Sequence, residues 1–213
     1  MIILFDLDGT LIDSTEAILE GFHNAFDVYD SKHPSDEDIK QLIGYPLDKM
    51  FADLGVQEEY VWDYVATYKN YYKEIATAKT ELLPYAKEAV IQASKIATLG
   101  IVTTKTGLYS QEIMEHFGLM QYFEVLIGRE HVTNPKPDAE PINKALESIL
   151  LKVPKESVWM IGDTKLDLIS AHNAKVNSIG VTSGYDSQET LEKYTDNIYT
   201  NALEAIEFLN FKK

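Results

Sequence analysis

Asp6 and Asp8, two aspartates two positions apart, follow a short apolar run at the start of the chain and precede Gly9. Carboxylates this close repel each other, so their spacing predicts a cation beside them. In a strand, residues i and i+2 point to the same side, so both carboxylates would emerge at the strand's carboxyl end. Gly9 permits a sharp turn that brings backbone N–H groups close to an anion. The stretch favours a divalent cation that bridges to a phosphate oxygen, the alternative being a strand end with solvated acids.

Three later stretches add polar groups at predicted strand ends. Thr103 and Thr104 end one buried strand and offer hydroxyl donors to a phosphate oxygen. Lys136 lies between two prolines, which stiffen the loop that presents its ammonium. Asp163 ends another strand, and Asp167 follows one helical turn later on the same face. Because ligands bind at the carboxyl edge of open parallel sheets, this order of strand ends predicts one site.

The elements that must hold these residues alternate between strands and helices. Apolar runs suited to buried parallel strands are followed by helical patterns; they are Ile2 to Leu7, Leu99 to Thr103, Val125 to Gly128, Val158 to Gly162, Ser178 to Thr182 and Ile198 to Thr200. Residues 14–82 show helical periodicity without a convincing strand. The pattern predicts an α/β core of residues 1–13 and 83–213, with a parallel sheet covered by helices on both faces, and an inserted all-α cap of residues 14–82.

Composition limits the partners. The formal net charge of -15 over 213 residues argues against nucleic acid and anionic membranes, which both require a basic face. The chain has no cysteine, which excludes disulfides and thiolate metal sites. No apolar run approaches the roughly 20 residues of a membrane span, and no cleavable presequence is expected ahead of the Asp pair. These features favour the cytoplasm, and they leave the oligomeric state unpredicted.

The series FDLDGTLIDS, IVTT, NPKPD and GDTKLD, in that order along nearly the whole chain, resembles the haloacid dehalogenase superfamily. The helical insertion after the first motif is similar to the cap of its phosphoglycolate phosphatase-like branch. The resemblance implies a Rossmann-like core and a Mg²⁺-dependent phosphatase for a small phosphorylated metabolite. It makes Asp6 the nucleophile that becomes an aspartyl-phosphate, and Asp8 the group that protonates the leaving oxygen and then activates water.

The same resemblance assigns the supporting residues. Mg²⁺ would be bound by the Asp6 carboxylate, the Asp8 carbonyl and Asp163, with Asp167 nearby. Lys136 and Thr103 would hold the transferring phosphoryl oxygens, together with backbone N–H groups of Leu7 and Asp8. Thr104 is a further candidate phosphate contact, although relatives often carry Asn at its position.

Candidate substrate-selecting residues lie in the predicted cap. Gly44 and Tyr45 belong to a break between helices, which is either an ordinary turn or, by similarity to the family, a loop facing the active site. Arg129, the chain's one arginine, lies in the core, so the cap must select through Lys, backbone or hydroxyl groups. Lys49, one turn beyond Gly44, is the cap cation that we expect to contact an anionic substrate.

Other aromatic and imidazole side chains are interpreted structurally. Four tyrosines spaced four apart, Tyr60, Tyr64, Tyr68 and Tyr72, form a helical stripe that favours cap packing over lining a cleft. The five histidines are scattered without metal-ligand spacing, which favours surface or packing roles.

Several functions compete with the phosphatase. A pyrophosphatase, a 5′-nucleotidase and a β-phosphoglucomutase-like mutase share the core residues. The mutases usually keep a His early in the first cap helix, where this chain has Ile18 or its neighbours. A dehalogenase is disfavoured because those relatives lack the second aspartate that Asp8 provides. A catalytically silent module that binds a phosphometabolite is the non-enzymatic alternative, and the intact set of acidic residues and Lys136 argues against it.

Overall fold

A computed structural model describes residues 1–211, which divide into two compact units. One unit combines Met1–Asp13 with the chain from Leu82 onward, and the other is Ser14–Glu81. The sequence predicted a helical cap of residues 14–82, which ends one residue later than the second unit.

The elements are numbered in chain order. They are β1 (Ile2–Phe5), β2 (Ile12–Asp13), α1 (Thr15–Val28), α2 (Asp36–Lys40), α3 (Leu47–Asp53), α4 (Val61–Ile75), β3 (Glu81–Leu82), α5 (Ala86–Ser94), β4 (Thr98–Val102), α6 (Gly107–His116), β5 (Phe123–Ile127), α7 (Glu140–Ser148), β6 (Val158–Gly162), α8 (Lys165–Ala174), β7 (Asn177–Val181), α9 (Gln188–Leu191), β8 (Ile198–Tyr199) and α10 (Ala202–Phe211). Turns of 3-10 helix occupy Glu58–Tyr60, Met120–Tyr122, Arg129–His131 and Lys155–Ser157. None of these helices combines the length and apolar character that crossing a membrane requires.

Within the described residues, six parallel strands form one sheet in the order β5-β4-β1-β6-β7-β8, and β2 pairs with β3 separately. The two central strands β1 and β6 are buried along their whole length, which explains why their sequences are apolar at every position. The predicted α/β class with a parallel sheet and an inserted helical region is confirmed. Strand ends differ slightly from the prediction, because β1 ends at Phe5 rather than Leu7 and β5 covers 123–127 rather than 125–128.

The early end of β1 has a backbone cause. The Leu7 carbonyl accepts hydrogen bonds from the N–H groups of Thr10, Leu11 and Ile12, at 3.0, 2.8 and 3.0 Å. Gly9 completes this tight turn with a φ of 80°, a conformation that other residues rarely adopt. The prediction that Asp6 and Asp8 share one face of a strand is therefore wrong. Asp6 lies where the chain enters the turn, and Asp8 lies within the turn.

The helical unit has an aromatic core. Phe22 and Phe51 lie 4.5 Å apart between ring centroids, and Tyr68 lies 5.0 Å from Phe22. Tyr64, Tyr68 and Tyr72 are buried as the packing interpretation predicted, whereas Tyr60 is 48% exposed because it precedes α4 in a 3-10 turn.

Two of the histidines are not scattered. His23 Nδ1 and His33 Nδ1 lie 3.1 Å apart, and the other ring nitrogens face Asp36 and Asp27 at 2.7 and 3.1 Å. Sequence spacing did not indicate this pair, because α1 and the segment before α2 meet only in the folded chain.

Candidate active site

Asp6 lies at the carboxyl end of β1 and is 3% exposed. Its backbone N–H donates to Ile161 O at 2.9 Å, which continues the pairing of β1 with β6 for one more residue. Its Oδ1 lies 3.0 Å from Lys136 Nζ as an ion pair whose angles are not those of a hydrogen bond. Burial raises the pKa of Asp6 to about 7, and the Lys136 charge only partly offsets that effect.

Asp163 and Asp167 lie on either side of the N-terminus of α8, and both are fully buried. Asp163 accepts hydrogen bonds from Thr10 Oγ1 and Tyr185 N, each at 2.9 Å. Asp167 Oδ2 accepts from the N–H and hydroxyl of Thr164, forming a capping box that fixes the carboxylate. Burial raises the pKa of Asp163 well above its usual range, and the charges of Asp167 and Asp6 raise it further.

Lys136 joins these carboxylates. Its Nζ lies 2.5 Å from Asp167 Oδ1, 3.0 Å from Asp6 Oδ1 and 3.1 Å from the Val102 carbonyl oxygen, and the residue is 2% exposed. Burial by itself would lower the pKa of Lys136, but the charges of Asp167 and Asp6 outweigh burial and raise it. The ammonium therefore stays charged and holds two of the acidic side chains in place.

The loop that carries Lys136 is attached to two helices. Ser170 Oγ on α8 donates to Asp138 O at 2.7 Å, and Asn173 Nδ2 donates to Pro137 O at 2.9 Å. Glu140 at the start of α7 accepts from the N–H groups of Thr133 and Asn134, at 2.9 and 2.8 Å. These bonds position a loop that the two prolines alone would not anchor.

The acidic side chains could hold a metal. Carboxylate oxygens of Asp6, Asp163 and Asp167 lie within 4.8 Å of one another, and all three residues are buried. Three carboxylates and the Lys136 ammonium leave two uncompensated negative charges when all are ionised, and a buried site tolerates them only if protons or a cation reduce that charge. An all-oxygen donor set suits a hard divalent ion such as Mg²⁺.

Glycines pack tightly around this cluster. A Cβ added at Gly184 would lie 2.0 Å from Asp163 Oδ2, and one at Gly9 would lie 2.3 Å from the same oxygen. A Cβ at Gly162 would lie 2.2 Å from Asp167 Cγ. Since side chains cannot occupy that space, glycine at these positions lets backbone surround the carboxylates closely.

Asp8 lies apart from the three-carboxylate cluster. Lys105 Nζ lies 3.1 Å from its Oδ1 and 3.0 Å from its Oδ2, and the two side chains are 8% and 13% exposed. Thr103 is buried and its hydroxyl oxygen accepts from Lys105 N at 3.2 Å, while Thr104 is half-buried. The roles of Leu7, Thr103 and Thr104 toward phosphate, and of the Asp8 carbonyl toward metal, stay predictions.

Gly44, Tyr45 and Lys49 belong to the helical unit. Gly44 has a φ of 104° in the turn before α3, and Lys49 lies in the first turn of that helix. Lys49 Nζ forms an ion pair with Asp53 at 2.8 Å and lies 5.2 Å from the centroid of the Tyr45 ring. The ammonium that we expected to contact substrate thus already has a carboxylate and an aromatic face as neighbours, and its role stays a prediction.

Sequence reasoning missed three contributors to the site. Lys105 contacts Asp8, Thr10 contacts Asp163, and the loop after β7 brings Gly184 and Tyr185 against Asp163. Ser183 Oγ in that loop also donates to Gly9 O at 2.8 Å, joining it to the turn after β1. All of these residues follow the carboxyl ends of parallel strands. The rule that ligands bind at that edge of the sheet, applied also to β7, would have indicated the loop.

The chain was compared with protein families, individual proteins and solved structures. The family model described as haloacid dehalogenase-like hydrolase matches residues 3–181. The chain belongs to this family. The resemblance stated from the four motifs is therefore confirmed, as is the expectation of an enzyme: a haloacid dehalogenase-like hydrolase related to phosphatases.

Individual relatives cover most of the chain. Pyrophosphatase PpaX of Halalkalibacterium halodurans is 34% identical over 181 residues, covering 83% of this chain and 80% of that protein. Phosphoglycolate phosphatase of Colwellia psychrerythraea is 29% identical over 203 residues, covering 91% and 89%. A crystal structure of a haloacid dehalogenase-like hydrolase from Bacteroides fragilis has a TM-score of 0.90 at 28% identity, covering 96% and 98%.

Proposed function

We propose that this protein is a Mg²⁺-dependent phosphatase that hydrolyses a small phosphorylated metabolite through an aspartyl-phosphate at Asp6. The observation that carries the proposal is the buried Asp6 carboxylate, held beside Lys136 and the Asp163–Asp167 pair at the end of β1. Asp6 Oδ1 contacts Lys136 as an ion pair without a hydrogen bond, whereas both oxygens of Asp163 and of Asp167 accept hydrogen bonds. The Asp6 carboxylate is therefore the one in this cluster suited to react rather than to support structure.

In the proposed reaction, an Asp6 oxygen forms a bond to phosphorus while the bond from phosphorus to the leaving oxygen breaks. Asp8 gives its proton to the leaving oxygen. A water molecule then attacks the phosphorus, its proton passes to Asp8, and the bond between phosphorus and Asp6 breaks. The sum is one water consumed, with one alcohol or acid and one inorganic phosphate released.

Other groups keep this chemistry electrostatically feasible. Lys136 contacts Asp6 and Asp167 and so offsets the charge that repels an incoming phosphate. Asp6, Asp163 and Asp167 would hold Mg²⁺, which when bound polarises a phosphoryl oxygen and screens the approach of two anions. Thr103 and the N–H groups of Leu7 and Asp8 are the proposed contacts to the transferring phosphoryl group.

Two substrates are supported by the relatives. Pyrophosphate is the first candidate, because several relatives at 31–34% identity are named pyrophosphatase PpaX. Phosphoglycolate is the second, from the Colwellia relative. Mutase activity lacks support, since Ile18 occupies the part of α1 where a His would be expected and is buried. The cytoplasmic location stays a prediction.

A panel of phosphorylated metabolites, assayed with Mg²⁺ and with EDTA, tests the proposal. We expect turnover of at least one small phosphate ester or pyrophosphate with Mg²⁺ and its loss in EDTA. Asp6→Asn should remain folded and lose turnover, because the amide is a poor nucleophile, whereas the matched variant Asp196→Asn, at an exposed position of the same unit, should be unchanged. Activity of Asp6→Asn within about tenfold of wild type would contradict the assignment.

A further inference from the structure

Lys105 provides a second ammonium in the core, and it has no role in the reaction proposed above. Its Nζ contacts both oxygens of Asp8, at 3.0 and 3.1 Å, and its side chain is 8% exposed. Lys105 lies beyond the carboxyl end of β4, three residues after Val102, and the Val102 carbonyl contacts the other ammonium, Lys136. Lys136 thus forms ion pairs with Asp6 and Asp167, and Lys105 forms one with Asp8.

The backbone of Lys105 is fixed at both ends. Its N–H donates to Thr103 Oγ1 at 3.2 Å, and its carbonyl oxygen accepts from Arg129 N at 3.0 Å. Gly128 approaches the same carbonyl closely, since a Cβ on Gly128 would lie 3.0 Å from it. Because the backbone of Lys105 is fixed, its flexible four-carbon side chain can move the ammonium only within a small volume, and that volume includes the Asp8 carboxylate.

In the proposed reaction, Asp8 donates its proton to the leaving oxygen, so that oxygen lies within hydrogen-bond distance of Asp8. An ammonium that contacts both Asp8 oxygens must then lie within a few ångströms of the atoms bonded to the leaving oxygen. A carboxylate or phosphate at that distance can accept from Lys105, whereas a neutral group gains much less.

We propose that Lys105 binds the anionic part of the leaving group and thereby selects phosphate compounds whose leaving group carries its own carboxylate or phosphate. This inference rests on the proposed function and deepens it. Arg129 is unsuited to the task, because its Nη1 donates to Val132 O at 3.1 Å, and Lys49 has Asp53 as a partner.

The test compares two substrates that differ only in leaving-group charge, 2-phosphoglycolate and its neutral carboxamide. Wild type should prefer the acid by about tenfold or more in kcat/KM. Lys105→Gln should reduce that preference by about tenfold, mainly through loss on the acid, and Lys105→Arg should retain part of it because it retains the cation. Lys193→Gln, which removes one positive charge from an exposed position of the same unit, should keep the wild-type preference.

Each other outcome is decisive. Equal losses on both substrates in Lys105→Gln would show that Lys105 only positions Asp8, and no loss on either would show that it is dispensable; both overturn the inference alone. If Lys105→Gln does not fold, as checked by circular dichroism, the wild-type preference decides: about tenfold or more for the acid supports the inference, and a smaller preference overturns it. Absence of turnover by wild type on every phosphate compound with Mg²⁺ would instead overturn the proposed function, and this inference with it.

Discussion

Removing the metal should make the stability of the protein fall as the pH rises from 6 to 8. Asp6 is 3% exposed, and burial raises its pKa from 3.8 to about 7. Between those two values the folded protein holds a proton on Asp6 that the unfolded chain has lost. Because the folded state binds more protons, its stability is full below the unfolded pKa and is lost as the pH rises through 7.

The size of the effect follows from the same two pKa values. Integrating the linkage relation for Asp6 alone gives a loss of about 1 kcal/mol between pH 6 and pH 8. Asp163, whose pKa is also raised by burial, shifts the result in the same direction. For a chain of this length, 1 kcal/mol corresponds to about 2–4 °C in Tm.

Differential scanning calorimetry of EDTA-treated protein at pH 6, 7 and 8 measures this change. Added Mg²⁺ should raise Tm more at pH 8 than at pH 6, because metal and protons compete for the same carboxylates. Asp6→Asn lacks the titrating group and should have a flatter pH profile. Wild type and Asp6→Asn have the same five histidines, so the difference between their two pH profiles does not come from histidine. A metal-free Tm that is constant or rises from pH 6 to 8, with an equal Mg²⁺ effect at both, would refute the reasoning.

Two substitutions probe the surroundings of the site and the helical unit. Gly184→Ala should weaken Mg²⁺ binding by about tenfold or more, measured as the Mg²⁺ dependence of Tm, because its Cβ would lie 2.0 Å from Asp163 Oδ2 and must displace that carboxylate. Gly180→Ala is the matched control, since its Cβ would make ordinary contacts of 3.4–3.6 Å, and equal effects of the two would argue against the cradle. Lys49→Ala should raise KM for phosphoglycolate by no more than about threefold, because a half-exposed ammonium already paired with Asp53 contributes little; a larger rise confined to anionic substrates would transfer the selecting role from Lys105 to Lys49.

The parts of the site that could be predicted share a local signal. Asp6, Asp163 and Asp167 follow buried strands or open a helix, and the carboxyl edge of a parallel sheet gathers such positions regardless of the details of packing. Lys136 could be predicted because its prolines mark a stiff loop, although the bonds from Ser170 and Asn173 that hold the loop could not.

What could not be predicted depends on tertiary pairing. Lys105 contacts Asp8 across 97 positions of sequence, and a lysine after two threonines has no spacing that indicates such a partner. The His23–His33 pair depends in the same way on where the segment after α1 returns to it. The end of β1 was misplaced by two residues because the competing hydrogen bonds to the Leu7 carbonyl come from a turn that apolar patterning does not detect.

In a protein of net charge -15, the negative charge of the site itself must be reduced before a phosphate ester can bind there. When ionised, Asp6, Asp8, Asp163 and Asp167 carry four negative charges against two positive ones on Lys105 and Lys136, so the core site is itself negative. A phosphate dianion would be repelled unless protons or a divalent cation first reduced that charge. Because burial raises the pKa of Asp6 and of Asp163, we expect protons to reduce that charge when no cation is bound. Because protonated Asp6 cannot act as a nucleophile, binding of the cation should precede productive binding of substrate, and KM should fall as Mg²⁺ is raised.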